Sequence, residues 1–457
     1  MTTRDDAPAS SRRAALGDDE RRALLRSALG LLDANWAGSS TLPSRTLYPH
    51  QWSWDTAFIA IGRSWGDQQR AQIELEHLFA AQWTNGMVPH IVFNPGVPAD
   101  AYFPGPQCWD ADRADGHPGV HATSGITQPP LHACAALDIY RHAADRDAAA
   151  AFLARLYPGL AAQHAYLARH RDPAGLGLAV IVHPWESGMD NAPIWDDDLD
   201  AIDIAPGRLP TYRRRDLVHA DPADRPSDAA YDRFVYLAVT YRDAGYDDAT
   251  IMASSPFVLA DPLFNAIWCW AAHALADIAR IVGDDPAPHR ERARRIHDGM
   301  LTHLWDAGAG RFHAYDVRND RHVPKDTISA LMPLLDPDLP DEQVAAIVAE
   351  LDSAKFRPTD DVFLAASYDL SSADFDARRY WRGPVWINTD WLLWRGLRQH
   401  GRPAVTERIA ASMLRLVQQS GWREYFDPFT GAGYGSHDFS WSAALIIDLL
   451  RRSDQAG

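Results

Sequence analysis

Apolar residues recur at helical spacing in segment after segment of this chain: Glu20–Leu32, Thr56–Trp65, Gln68–Trp83, Pro130–His142, Ala148–His170, Pro262–Val282, Pro288–Trp305, Asp341–Leu351, Asn388–Leu397, Val405–Gln418 and Ser440–Arg451. A repeat of about 3.6 residues gathers the apolar side chains of each segment into one stripe, which has to be buried against a neighbour. Strand-like runs are few, such as Leu178–Val182. The expected fold class is therefore all-α. The 457 residues suffice for one large globular domain or two ordinary ones.

Several helices are preceded by a Trp-, Gly- or Pro-rich stretch that carries polar groups. These are Tyr48-Pro-His-Gln-Trp-Ser-Trp-Asp55, Gly125-Ile-Thr-Gln-Pro-Pro130, His183-Pro-Trp-Glu-Ser-Gly-Met-Asp-Asn191, Arg379-Tyr-Trp-Arg-Gly-Pro-Val-Trp386 and Gly435-Ser-His-Asp-Phe-Ser-Trp441. Helix starts offer free backbone N–H groups and the positive end of the macrodipole. If the starts converge at one end of a helical barrel, they form one deep aromatic pocket. The 17 Trp, 15 Tyr and 15 Phe exceed the needs of a core, and Trp is rarely buried completely. Part of that surplus is expected to line the pocket.

Two stretches resist a helical reading. Residues 94–124 are dense in Pro, Gly, Asp and His, and residues 196–227 contain Asp196-Asp-Asp-Leu-Asp200 and Arg213-Arg-Arg215. Loops of this length inside a compact domain are usually functional or mobile, so both are expected to act as lids. Residues 1–18 read as a flexible arm, and 19–457 as a single catalytic domain.

The formal charge of −17, from 44 Lys and Arg against 61 Asp and Glu, repels phosphate backbones and anionic membranes. Nucleic acid and membrane are therefore poor partners, and no stretch reaches the ~18 apolar residues of a membrane span. Cys108, Cys134 and Cys269 are far apart and lack metal or disulfide spacing. With no apolar signal region between Met1 and Ala15, the expected location is the cytoplasm. A homo-oligomer is compatible with all of this.

Three carboxylates stand among aromatic and Pro residues: Glu186 and Asp190 in Trp185-Glu-Ser-Gly-Met-Asp-Asn191, and Glu424 in Gly421-Trp-Arg-Glu-Tyr-Phe-Asp-Pro428. Burial disfavours the ionised form and can raise such a group into the range of a general acid. The plainer reading of any one of them is a helix cap or an ion-pair partner, since structural pairs also perturb pKa values. Two widely separated acids in aromatic loops suit glycoside hydrolysis, in which carboxyls flank the scissile bond and aromatic faces stack on sugar. Trp52, Trp54 and Asp55 read either as a sugar platform with a hydroxyl-binding acid or as a buried staple with Asp55 as N-cap.

Metal readings are weak. His117 and His121 lie in a Gly- and Pro-rich loop, and the Asp196–Asp200 run lacks the ligand spacing of a calcium loop. Gly431-Ala-Gly-Tyr-Gly-Ser436 has no preceding strand and is not a phosphate loop. No Gly-x-Ser-x-Gly elbow occurs. His437, 13 residues after Glu424 and just before a helix, is kept as a polar candidate.

The segments Gln51-Trp-Ser-Trp-Asp55, Trp185-Glu-Ser-Gly-Met-Asp190, Tyr380-Trp-Arg-Gly-Pro-Val-Trp386 and Trp422-Arg-Glu-Tyr-Phe-Asp427 resemble glycoside hydrolase family sixty-three. They occur in the family's order and span Tyr48 to Leu450, with most likeness to compact bacterial members acting on glucosylglycerate and mannosylglycerate. The resemblance implies an (α/α)6 barrel with cap insertions, inverting hydrolysis, no cofactor and no metal. It matches Asp190 to the general acid and Glu424 to the general base. Trp52, Ser53, Trp54 and Asp55 match the sugar-binding segment, Tyr380, Trp381 and Trp386 the aromatic wall, Trp185 and Gly188 the acid's loop, and His437 a polar group near the base. Tyr48, Gln128 and Arg225 are assigned to the glycerate side, where an Arg fork suits a carboxylate. Tyr102 and Tyr231 join the substrate-binding set by order of segments.

On this reading Asp190 protonates the glycosidic oxygen and Glu424 activates water on the opposite face, across a gap of about 6.5–9.5 Å. Glu186 is then a supporting or sugar-binding group. The expected substrate is a small α-glycoside, 2-O-α-glucosylglycerate first and mannosylglycerate second. A trehalase or α-glucosidase on neutral oligosaccharides, a sugar epimerase and a non-catalytic sugar binder are the alternatives.

Overall fold

The computed structural model describes residues 16–218 and 220–456. Most of the arm assigned to residues 1–18 lies outside the described residues, and a helix already begins at Asp18. The chain is mostly helical, with a few short antiparallel strand pairs.

The most buried helices follow one another in a closed cycle of contacts. Ser53–Arg63 packs on His132–His142, which packs on Pro262–Val282. That helix packs on the 3-10 run Ile328–Leu335, which packs on Ile387–Gln399. Ile387–Gln399 reaches Ser440–Ala456, and Ser440–Ala456 returns to Ser53–Arg63. The helices Asp18–Asn35, Gln68–Ala80, Arg146–His170, Ala287–Gly299, Asp341–Leu351 and Pro403–Ser420 each lie against a member of the cycle.

Sequence explains the burial. All 11 residues of Ser53–Arg63 are buried, and Gly62 allows its close approach to Ser440–Ala456. A Cβ at Gly62 would stand 2.4 Å from Ala444 Cα. The Pro262–Val282 helix starts at Pro262, with Asp261 accepting from Phe264 N at 3.0 Å. An N-cap acid followed by Pro satisfies the orphan donors at that end.

Several expectations change. Leu178–Val182 is not a strand: Ile181 makes an isolated bridge to Leu259, and the Asn265 side chain accepts from Ala179 N at 2.8 Å and donates to Ala179 O at 2.9 Å. A side-chain amide replaces the neighbouring strand there. Asp228–Asp243 is a helix, with Tyr231, Phe234, Val235 and Ala238 buried at helical spacing. Asp55 is not an N-cap, because Trp52 occupies that position and Asp55 lies in the first turn. The residues around Glu424 form a hairpin, Arg423–Phe426 pairing with Gly433–His437.

The segments 94–124 and 196–227 contain short helices, Pro106–Trp109 and Asp196–Asp200, together with 3-10 turns. They meet where Phe103 stacks on Tyr212 with ring centroids 4.7 Å apart, and the helix Asp228–Asp243 packs on Pro106–Trp109. No helix among the described residues is long and apolar enough to cross a membrane.

Candidate active site

The starts of the helices Ser53–Arg63, Asp228–Asp243 and Ser440–Ala456, the hairpin and the two long segments line one cavity of about 950 Å³, mouth included. Tyr48, Trp52, Trp54, Asp55, Tyr102, Gln128, Trp185, Gly188, Asp190, Arg225, Tyr231, Tyr380 and Glu424 all line it.

Glu424 is 1% exposed and is held on both oxygens. Tyr48 donates its hydroxyl to Oε1 at 2.7 Å, and Ser436 N, on the facing strand, donates to Oε2 at 2.8 Å. Arg225 Nη1 lies 3.8 Å from Oε1 and donates to Tyr48 Oη at 2.9 Å. Burial raises the Glu424 carboxyl above its ordinary range, while Arg225, Tyr48 and Ser436 pull it back. These donors favour the ionised form.

Asp190 has no side-chain hydrogen bond of that kind. Burial, with Glu424 adding and Arg225 opposing, raises it to about 7. The loop that presents it is fixed beneath by Glu186. Arg171 forms a fork on Glu186, Nη1 to Oε2 and Nη2 to Oε1, both at 2.9 Å, and Val182 N donates to Oε2 at 2.8 Å. With Thr127 N on Oε1 at 3.2 Å, Glu186 is occupied as an anchor and does not line the cavity. Gly188 has φ +75°, and a Cβ there would stand 2.5 Å from Trp54 Cζ2. Only glycine meets both demands.

Asp55 is buried at the cavity floor, and burial pushes its carboxyl well above the usual range, Glu424 and Asp190 adding to the effect. Gln128 accepts from Trp54 N at 3.2 Å, with its own side chain on the wall. Trp185 lies parallel to His90 at 6.2 Å and edge-on to Tyr231 at 6.1 Å.

Four assigned residues are placed elsewhere. Ser53 is fully buried with its hydroxyl 3.1 Å from His132 Nε2, outside the cavity. Trp381 and Trp386 stack on each other at 3.9 Å and 2° and stand behind Tyr380. Trp386 Nε1 donates to Tyr380 O at 3.1 Å, which braces Tyr380 at φ +44°. A non-glycine residue in that region is held there only by such support. His437 is exposed and pairs with Asp438 at 2.7 Å, facing outward beside Trp422.

The structure adds lining residues that the motifs did not indicate. Phe103 and Pro104 come from the 94–124 segment, and Arg215 and Asp216 from the 196–227 segment. Asp216 Oδ2 accepts from Arg225 Nε at 3.3 Å and from Arg214 Nη2 at 2.6 Å, so it positions Arg225. Trp441 also faces the cavity, edge-on to Trp54 at 5.6 Å. Its place in a helix-leading aromatic stretch was the available signal.

A family model described as the mannosylglycerate hydrolase MGH1-like glycoside hydrolase domain matches residues 48–442. The chain is 42% identical over 429 residues to a mannosylglycerate hydrolase of Rubrobacter radiotolerans, covering 93% of this chain and 96% of that one. It is 38% identical over 435 residues to a glucosylglycerate hydrolase of Mycolicibacterium hassiacum, covering 92% and 96%. The crystal structure of a GH63 mannosylglycerate hydrolase from Thermus thermophilus in complex with Tris and D-glycerate aligns with a TM-score of 0.86 at 40% identity, covering 93% and 99%. The matched span contains every segment that walls the cavity, and with likeness along nearly the whole chain the protein belongs to the MGH1-like glycoside hydrolases of family sixty-three.

Proposed function

We propose that the protein hydrolyses the α-glycosidic bond of a small glycoside of glycerate, glucosylglycerate or mannosylglycerate, with inversion. The observation that carries this reading is the contrast between two buried carboxyls in one cavity. Asp190, lacking side-chain donors and raised to about 7, suits a proton donor. Glu424, held by Tyr48, Ser436 and Arg225, suits an ionised base. Environments that separate two such groups define acid and base roles.

Asp190 delivers its proton to the glycosidic oxygen as the bond to the anomeric carbon breaks. Glu424 takes a proton from the water that attacks the opposite face, and hexose and glycerate leave. Asp55, whose carboxyl burial pushes above its usual range, hydrogen-bonds a sugar hydroxyl, and Trp52, Trp54 and Trp185 supply the apolar faces. Arg225 and Arg215 provide local positive charge for a carboxylate within a chain of net charge −17. The names of the relatives support the glycerate end.

The helical arrangement is read as an (α/α)6 barrel, supported by the closed cycle of buried segments and the helix outside each. Segments 94–124 and 196–227 act as lids that exclude water. The enzyme works in the cytoplasm.

The test is to incubate the protein with glucosylglycerate, mannosylglycerate and trehalose, measuring free hexose and the anomer first released. Hydrolysis of a glycerate glycoside with β-hexose appearing first is expected. Release from trehalose alone, or α-hexose first, overturns the reading.

A further inference from the structure

A second cluster of chemically able side chains lies away from the cavity. Cys269 and His273 are four residues apart on the helix Pro262–Val282 and so share one face. Asp336 follows the 3-10 run Ile328–Leu335, which packs on that helix. One donor atom from each of the three lies within 4.8 Å of the others. None of them lines the catalytic cavity.

We propose that Cys269, His273 and Asp336 bind a zinc-type divalent ion that ties the helix Pro262–Val282 to the segment after Leu335. His273 Nε2 is shielded from solvent and has no hydrogen-bond partner. Asp338 Oδ2 stands 3.7 Å from it. Asp336 is fully buried and already oriented, with His297 Nδ1 2.6 Å from Oδ2 and Asp338 N donating to Oδ1 at 3.0 Å. Such outer contacts fix the direction of a liganding carboxylate.

The donor set selects the ion. One sulfur, one imidazole and one carboxylate suit zinc, whereas magnesium and calcium prefer oxygen alone. Burial raises the Cys269 thiol above its ordinary range, with the neighbouring Asp336 adding to the effect. It donates weakly to Ala293 O at 3.6 Å. On binding, the S–H bond breaks, the metal–sulfur bond forms and the proton passes to water. The thiolate and the Asp336 carboxylate then balance the two charges of the ion, so burial carries no net charge.

Cobalt(II) titrated into metal-free protein tests the site. The expected result is a near-ultraviolet thiolate-to-cobalt band with visible tetrahedral bands, saturating at one ion per chain and reversed by zinc. His273→Gln, at a partly exposed position, should weaken cobalt binding by at least about tenfold while circular dichroism and glycoside hydrolysis are kept. Cys269→Ser should lose the near-ultraviolet band and retain weaker visible bands. Absence of any thiolate-to-cobalt band in the wild-type protein, or a band unchanged by His273→Gln, overturns the proposal. Hydrolysis is read separately, so failure here leaves the proposed glycosidase reaction standing.

Discussion

The Tyr48 hydroxyl donates to Glu424 Oε1 at 2.7 Å while its oxygen accepts from Arg225 Nη1 at 2.9 Å. Tyr48 and Glu424 are 376 positions apart in sequence. Tyr48 thus links the Arg225 guanidinium to the carboxylate that the proposed mechanism uses as base.

Tyr48→Phe removes that donor. A hydrogen bond to a charged group contributes about 1.5–3 kcal/mol, so kcat should fall roughly ten- to hundred-fold. Because the bond lowers the Glu424 pKa, its loss raises that pKa. The acid limb of the kcat/KM profile should move to higher pH, and an unmoved limb would refute the role.

On the proposed mechanism Asp190 acts in its protonated form, so activity should fall as pH rises through about 7. The same raised pKa carries a stability cost. Between its ordinary value near 3.8 and about 7, the folded state holds a proton that the unfolded state releases, so the penalty grows with pH and levels off above about 7. Asp190→Asn should abolish turnover yet raise the thermal midpoint at pH 8 more than at pH 5. A fall in midpoint at both pH values would contradict this.

Glu186→Gln breaks the buried fork and leaves Arg171 only Asp248 Oδ1, 3.5 Å from Nε, as a charge partner; breaking a buried pair typically costs about 3–5 kcal/mol. The variant should unfold at clearly lower denaturant, with loss of activity following loss of fold. Wild-type stability would show that the fork is not the anchor of the Asp190 loop.

Gly188→Ala places a methyl 2.5 Å from Trp54 Cζ2 at a backbone φ of +75°. Backbone strain of this kind costs about 1–3 kcal/mol, and Trp54 must shift. A rise in KM with a lower thermal midpoint is expected from steady-state kinetics and calorimetry.

His437→Ala should keep turnover within about twofold, because surface positions away from special contacts are nearly neutral and this ring faces solvent. A large loss of kcat would return His437 to the site.

The pattern of success and failure follows from what a linear sequence encodes. Asp190 and Glu424 stood out in sequence because acids embedded in aromatic loops are unusual, and both line the cavity. His437 lies outside the cavity because the segment after Glu424 is a hairpin, and alternation along a strand turns the Ser436 side chain inward onto Ser44 and His437 outward. Trp381 and Trp386 share a motif with Tyr380, but the left-handed backbone at Tyr380 sends that ring alone to the cavity. Asp228–Asp243 was not anticipated as a helix, since its aromatic and β-branched residues have modest helix propensity.

Periodicity, composition and short motifs by themselves determined the helical class, the acidic balance that disfavours nucleic acid and anionic membranes as partners, and the family. Those are properties of local spacing and residue chemistry. Tertiary structure alone decided that Tyr48, Arg225 and Asp216 form one chain of contacts ending on Glu424, that Glu186 is an anchor, and that Asp336 meets Cys269 and His273. Distances across the fold depend on how helices close upon one another, and no local pattern records that closure.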